Sequence, residues 1–375
     1  MAASASVLVA GLGDLGSRVL QLLAGDARIG TLTGCGRETP RTVGLVHQTA
    51  LVSAALGGAE RVGHVAVDLG SATAVRDLLD RSRPDVVVFA ASRHSWWRTP
   101  EAARSLPYGV WLPLQLSLLR LFMRALQESE ADPTVVALVH PDAAGPVLAA
   151  EGLAPHVGAG NVSEVAAKLQ VLAAEEHGCR RDEVDVRLVM HHAAERLAFA
   201  LFDPGPGPGA SSVDPPYLAR VSVAGERLAD DDVDRLVRRP YPLPDGTGSH
   251  DLTAATVARL VSALLGDAPQ RLHVPAPRGL PGGYPVVAGG GVVDLDLPAG
   301  VDLADAVAVN ERAARHDGIA EVGEDGAVVF TEEATSAAAE VLGVKLERVG
   351  SDDLDRVADE LALALDRLGG GPQGT

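Results

Sequence analysis

Lysine is nearly missing from this chain: of 32 basic residues only Lys168 and Lys345 are lysines, and arginine supplies the rest. Together with abundant alanine and glycine, that bias resembles a high-GC bacterial coding sequence, and it draws attention to each remaining lysine. Aromatic residues are also scarce, at 3%, so alanine, valine and leucine must fill the core. Two cysteines, Cys35 and Cys179, give neither a disulfide framework nor a metal-ligand spacing, and no metal site is expected. No apolar stretch reaches the roughly 18 residues of a membrane span, and no basic-then-apolar leader opens the chain. The net charge of −18 argues against a nucleic-acid backbone or an anionic membrane as partner. What these absences leave is a reduced, cytoplasmic protein, and 375 residues suffice for two domains.

The most informative segment that is there comes first. An apolar run, Val7 to Ala10, leads into Gly11-Leu12-Gly13-Asp14-Leu15-Gly16, and helical spacing follows from Ser17 to Ala24. A buried strand turning through three glycines into a helix is the layout that holds a dinucleotide pyrophosphate. Gly11 permits the turn, Gly13 admits phosphate to the backbone, and Gly16 lets helix pack on strand. Unpaired N–H groups of the helix N-terminus then face the anion. In a chain with 41 glycines a plain tight turn is the competing reading. A carboxylate about 20 residues beyond the glycines would select NAD through its ribose hydroxyl. Here the strand from Ile29 runs into Gly34-Cys35-Gly36-Arg37, with Glu38 next and Arg41 beyond. A guanidinium there suits a 2′-phosphate, which favours NADP over NAD; a solvated loop arginine is the alternative.

Strand and helix signals alternate through the first half, as a doubly wound parallel sheet requires. Strands are expected at Val62–Val67, Asp85–Ala90 and Thr134–Val139, and helices at Ala72–Arg81 and Leu112–Gln127. Between them lies a polar loop, Ser92 to Pro107, that carries Trp96 and Trp97. A boundary near residues 145 to 157 divides a dinucleotide-binding domain, 1–150, from a substrate domain, 151–375. The second begins with a helix, Val162–His177, and a strand, Val184–Met190, that ends in His191-His192. Asp203 to Pro216 has loop composition, and Leu252–Leu265, Leu303–Arg315, Thr331–Leu342 and Asp352–Leu368 read as helices.

Polar clusters stand where strands end or helices begin: His140-Pro141-Asp142, Gly158-Ala159-Gly160-Asn161-Val162-Ser163-Glu164, His191-His192 and Gly246-Thr247-Gly248. In open α/β sheets ligands bind outside the carboxyl ends of the strands. Histidine can exchange the proton that accompanies hydride transfer to a carbonyl.

With the glycine turn, the strand Asp85 to Ala91 and the hairpin-like run Tyr284 to Val292, these pieces resemble the lactate/malate dehydrogenase superfamily in order and spacing. The resemblance implies a Rossmann domain followed by an α+β catalytic domain, a small-molecule substrate, and assembly as a homodimer or homotetramer. It implies a cofactor held by Gly11, Gly13, Asp14, Leu15, Gly16, Ala90 and Ala91, with Arg37 and Arg41 at the ribose. It makes His192 the acid/base and Glu164 its carboxylate partner.

The departures are informative too. Ala167 stands where the family's arginine clamps the substrate carboxylate, Lys168 points about 100° away from it, and His140 replaces a carbonyl-polarising asparagine. Arg93 or Arg98 is the candidate mobile-loop arginine, and Thr247 completes the expected substrate lining. A simple 2-oxo acid is therefore disfavoured, and the tryptophans suit a bulkier or flatter substrate. The competing readings are a non-catalytic nucleotide-binding or scaffold protein, and a short-chain or epimerase-like enzyme prompted by Val67-Asp68-Leu69. The last would want a Tyr-x-x-x-Lys pair, which the chain lacks.

Overall fold

The structure is a computed structural model that describes residues 4–58, 60–199, 213–244 and 246–369. Six parallel strands form its central sheet: β1 (Ala5–Ala10), β2 (Ile29–Gly36), β3 (Arg61–Ala66), β4 (Val86–Phe89), β5 (Thr134–Ala137) and β6 (Val157–Gly158), in the order β3-β2-β1-β4-β5-β6. This is the doubly wound order whose switch point lies between β1 and β4. Five helices make the crossovers: α1 (Asp14–Leu23), α2 (Pro40–Ala55), α3 (Ala72–Ser82), α4 (Leu112–Gln127) and α5 (Pro141–Ala149).

Alternation along the strands sorts the core in two. Leu8, Ala10, Val87, Phe89, Val135 and Ala137 face one side; Val7, Val9, Val86, Val88 and Val136 face the other. Both faces are covered, so these strands are apolar throughout instead of alternating with polar residues.

The second half begins with α6 (Val162–His177), β7 (Val184–Val189), β8 (Leu218–Val223), β9 (Glu226–Arg227) and α7 (Asp230–Arg238), which share a third core. Next come α8 (His250–Leu265) and the antiparallel β10 (Gln270–Pro275), β11 (Gly283–Gly289) and β12 (Val292–Leu295). The chain closes with α9 (Leu303–Ala314), β13 (Ile319–Val322), β14 (Val328–Phe330), α10 (Glu332–Leu342), β15 (Arg348–Val349) and α11 (Leu354–Leu368). Residues beyond 150 contribute to the cover on both faces of the parallel sheet. α8 and β10–β12 pack with α1 on one face, and α10 and α11 pack with α3 and α4 on the other.

Two helices of the first half differ from the sequence reading. α2 has no marked apolar face; it starts at a Thr39–Thr42 capping box with Pro40 in its first turn. α5 occupies the segment read as an interdomain boundary. Residues 203–212 of the proline- and glycine-rich loop lie outside the described residues. Among those described, no helix is long and apolar enough to cross a membrane and no group of side chains has a metal-binding arrangement.

Candidate active site

The glycine turn follows β1 directly. Gly11 has φ +100°, and a Cβ there would lie 2.7 Å from the Ala91 nitrogen. A Cβ on Gly16 would lie 1.9 Å from the Gly11 carbonyl oxygen and 3.2 Å from the Ala90 methyl. Gly13 is the opposite case: nothing lies within 4 Å of its would-be Cβ, and it caps α1 without any side-chain hydrogen bond. The first amides of α1 therefore face outward, as an anion requires.

Leu15 packs into the core, so only its backbone can meet a cofactor. Arg41 donates to the Leu12 carbonyl at 3.3 Å, and Arg37 is exposed at the end of β2, where no acidic side chain intervenes. These residues fit a dinucleotide. Asp14 is held by Arg18 at 3.0 Å and by His250 of α8 at 2.7 Å. Burial opposes its charge, but these two partners keep its carboxyl below the usual range. Trp97 meets the same His250 ring edge-on at 4.8 Å, which joins the tryptophan loop to the N-termini of α1 and α8.

β7 ends at Val189, earlier than the alternation suggests. Met190 makes a lone bridge to Gly283, and the chain then enters a 3₁₀ turn, His192–Leu197. Because the strand has stopped, His191 and His192 do not face opposite ways. The Nδ1 atoms of both approach Asp317 Oδ2, at 3.6 and 2.8 Å. His192 donates the hydrogen bond, whereas His191 Nδ1 accepts the Ala193 N–H at 3.1 Å.

Burial disfavours a charged His192. The Asp317 carboxylate outweighs it by charge and hydrogen bond, with Glu195 and Asp142 adding to it, and holds the imidazolium up to about 10. Asp317 stays below the ordinary carboxylate range: burial works against its charge, and His192, by charge and hydrogen bond, overcomes it.

The Tyr108 ring lies between two imidazoles, 4.3 Å from His192 and 4.6 Å from His140. Gly109 makes this approach possible, since a Cβ there would lie 2.6 Å from the Asp317 carbonyl. His140 caps the start of α5 in the left-handed region at φ +41°, and burial pushes its ring down to about 3, so it is neutral.

Several expected roles change. Glu164 does not meet His192: it accepts the Thr253 hydroxyl of α8 at 2.7 Å, because α6 turns its carboxylate toward α8, and Asp317 takes the imidazole. Burial raises Glu164 to about 7. Lys168 is 3% exposed and donates to the carbonyls of Ala198 and Val237, both at 2.7 Å, contacts that commit its ammonium to structure. Arg93 pairs with Asp359 of α11, and Arg98 is exposed in a 3₁₀ turn.

Ala167 lines a small cavity of about 80 Å³ with Ser163, Gln170, Arg259 and His273, away from His192. Thr247 sits half-buried in the turn before α8, where His250 and Thr253 make the contacts. Sequence reasoning missed Asp317 and Tyr108. Asp317 is one of three Asp-Gly pairs in an acidic chain, and Tyr108 follows a proline in an irregular loop.

No protein-family model matches the chain, and no curated protein matches it. Solved structures do. A lactate dehydrogenase from a Medee basin deep-sea metagenome library aligns over 84% of this chain and 96% of its own, at a TM-score of 0.57 and 12% identity. Malate dehydrogenase from Salinibacter ruber aligns over 83% and 95%, at 0.54 and 16%. The Cryptosporidium parvum lactate dehydrogenase, solved with lactic acid and nicotinamide adenine dinucleotide, aligns over 84% and 99%, at 0.55 and 15%. The chain therefore has the lactate/malate dehydrogenase fold, and at these identities the likeness is one of fold.

Proposed function

We propose that this protein is a nicotinamide-dependent oxidoreductase, with NADP preferred to NAD, acting on a carbonyl/alcohol substrate other than a simple 2-oxo acid. The observation that carries the reading is the His192–Asp317 pair beyond the end of β7, in a chain whose glycine turn is unblocked at Gly13. α8 links the two regions. His250 touches Asp14 and Thr253 touches Glu164, three residues and about 4.5 Å of axial rise apart.

Gly11, Gly13, Gly16 and the first amides of α1 would hold the pyrophosphate, and Arg37 and Arg41 a 2′-phosphate. A bound nicotinamide would supply or accept the hydride. His192 would hold the proton on the nitrogen remote from Asp317, and Asp317 would fix the ring and stabilise its charge. Because His192 is protonated at neutral pH, it is poised as an acid, which suits carbonyl reduction.

Calorimetric titration with NADPH and NADH tests the cofactor: NADPH should bind at least tenfold tighter, about 1.4 kcal/mol. Arg37→Ala should erase most of that difference and spare NADH. Equal affinities would remove the NADP assignment, and no binding of either would remove the oxidoreductase reading.

One observation favours a second reading, a nucleotide-binding protein without catalysis. Tyr108 occupies the space between His140 and His192, and Ala167 offers no clamp. Its signature would be NADPH binding with no hydride transfer to any carbonyl.

A further inference from the structure

The polar groups around His192 have the wrong sign for a carboxylate substrate. Four carboxylates surround it: Glu164 from α6, Asp142 from α5, Glu195 from the 3₁₀ turn and Asp317 after α9. Each is no more than 5% exposed. Among the described residues no lysine or arginine is paired with them. Lys168 is turned to two carbonyls, Arg93 is paired with Asp359, and Arg98 lies on the exposed loop.

Only Asp317 is satisfied by the histidines. Three other buried atoms have no hydrogen-bond partner among the described residues: Glu195 Oε1, Asp142 Oδ1 and His140 Nε2. The neutral His140 ring can serve as an acceptor through its unpartnered Nε2. Glu195, Asp142 and His140 all lie within electrostatic reach of His192. Unpaired buried acceptors of this kind are costly, and a second carboxylate among them would cost more.

We propose that the site takes a cationic substrate, an alcohol or ketone with a protonated amine beside the reacting carbon, whose three N–H donors are received by Glu195, Asp142 and His140. The inference rests on the oxidoreductase reading for which carbon reacts, but not for which charge is bound. It accounts for the missing clamp at Ala167, since an ammonium needs none.

In the free protein, burial raises Glu195, Asp142 and Glu164 alike, Glu164 to about 7, so protons hold the place of the cation. An ammonium binds the ionised carboxylates better and must expel part of those protons. Its affinity therefore rises with pH over the range in which those carboxyls ionise. The groups facing this cluster are His140, His191 and His192, Asp317, the Thr253 hydroxyl and the Tyr108 ring.

Three alcohols on one carbon skeleton test it: 1-amino-2-propanol, 1,2-propanediol and lactate. They are titrated calorimetrically into the whole protein with NADPH present, with which an alcohol cannot react. The aminoalcohol should bind at least tenfold tighter than the diol, about 1.4 kcal/mol, and lactate should bind more weakly than both. Its observed enthalpy should change with the ionisation enthalpy of the buffer, reporting proton release. Glu195→Gln and Asp142→Asn should each remove most of the preference. If either variant fails to fold, the pH series on the unaltered protein decides, because only the aminoalcohol should gain affinity over that range. Diol or lactate binding as tightly as the aminoalcohol overturns the inference, as does aminoalcohol binding weaker than roughly 10 mM. The same titrations without NADPH read the cation preference alone. A protein that prefers the cation but binds no nicotinamide cofactor would sink the oxidoreductase reading and leave this one standing.

Discussion

At the scale of single residues, the chemistry turns on which carboxylate meets His192. Asp317 holds the imidazolium against its burial, so NMR titration should find His192 protonated up to about 10. In Asp317→Asn burial is left in command, and the titration should fall to or below the usual histidine range. The raised value in the native protein also stabilises the fold. That contribution is fully present below the unfolded histidine's pKa and is lost as pH rises through about 10. Glu164→Gln keeps the Thr253 contact and should leave this titration almost unmoved.

Lys168 is a residue of structure. Lys168→Met strands two carbonyl acceptors and should cost about 1–3 kcal/mol in denaturant unfolding, with KM for any substrate unchanged. A raised KM at full stability would return Lys168 to the substrate site.

At the scale of elements, the glycine turn separates folding from binding. Gly11 has positive φ and presses on Ala91, so Gly11→Ala should lose roughly 2–4 kcal/mol of stability. Gly13 has an ordinary φ of −68° and open space beyond it. Gly13→Ala should fold normally yet weaken NADPH binding, because its methyl enters the path of the phosphates. Thermal unfolding and calorimetry on the two variants together check this, and a Gly13→Ala protein with native affinity would refute the pyrophosphate assignment. Trp97 against His250 gives the same element an optical reporter, since a cofactor arriving beside Asp14 should change its fluorescence.

At the scale of the whole molecule, the last helix is tied to the parallel sheet by packing and by charge contacts, of which a cluster at Glu151 is the most connected. Glu151, at the end of α5, receives Arg120 and Arg124 of α4 and the Ser351 hydroxyl ahead of α11. Burial opposes its charge, but these partners, Arg120 first, hold it down to about 2. Its contribution, about 2–3 kcal/mol, is present above the unfolded carboxyl's pKa and is lost as pH falls through about 2. Acid unfolding of Glu151→Gln should therefore lack that loss and start from lower stability at neutral pH, while an unchanged acid profile would show the cluster to be energetically idle.

Much of this architecture was legible in the chain because burial patterns are local. α4 and α6 begin and end where their apolar spacing does, and β1, β2 and β4 contain their aliphatic runs, although β1 starts earlier, at Ala5, and β2 continues to Gly36. The glycine turn was legible for the same reason, since its three backbone requirements fall within six residues. α2 was not, because its polar and apolar residues do not segregate, and α5 was not, because a helix opening on His140-Pro141 reads as loop.

The histidines were visible as a pair, but their orientation depends on β7 stopping at Val189, which its pairing with β8 and the bridge to Gly283 decide. Asp317 lies 125 residues after His192 and Tyr108 lies far ahead of it, so no local spacing could join them. Chain order determined the strands, the glycine turn and the absence of an arginine at Ala167. Only the packing of α9, the Tyr108 turn and the end of β7 onto one another determined which carboxylate shares the proton, because that choice is made by distance and burial between segments the sequence holds apart.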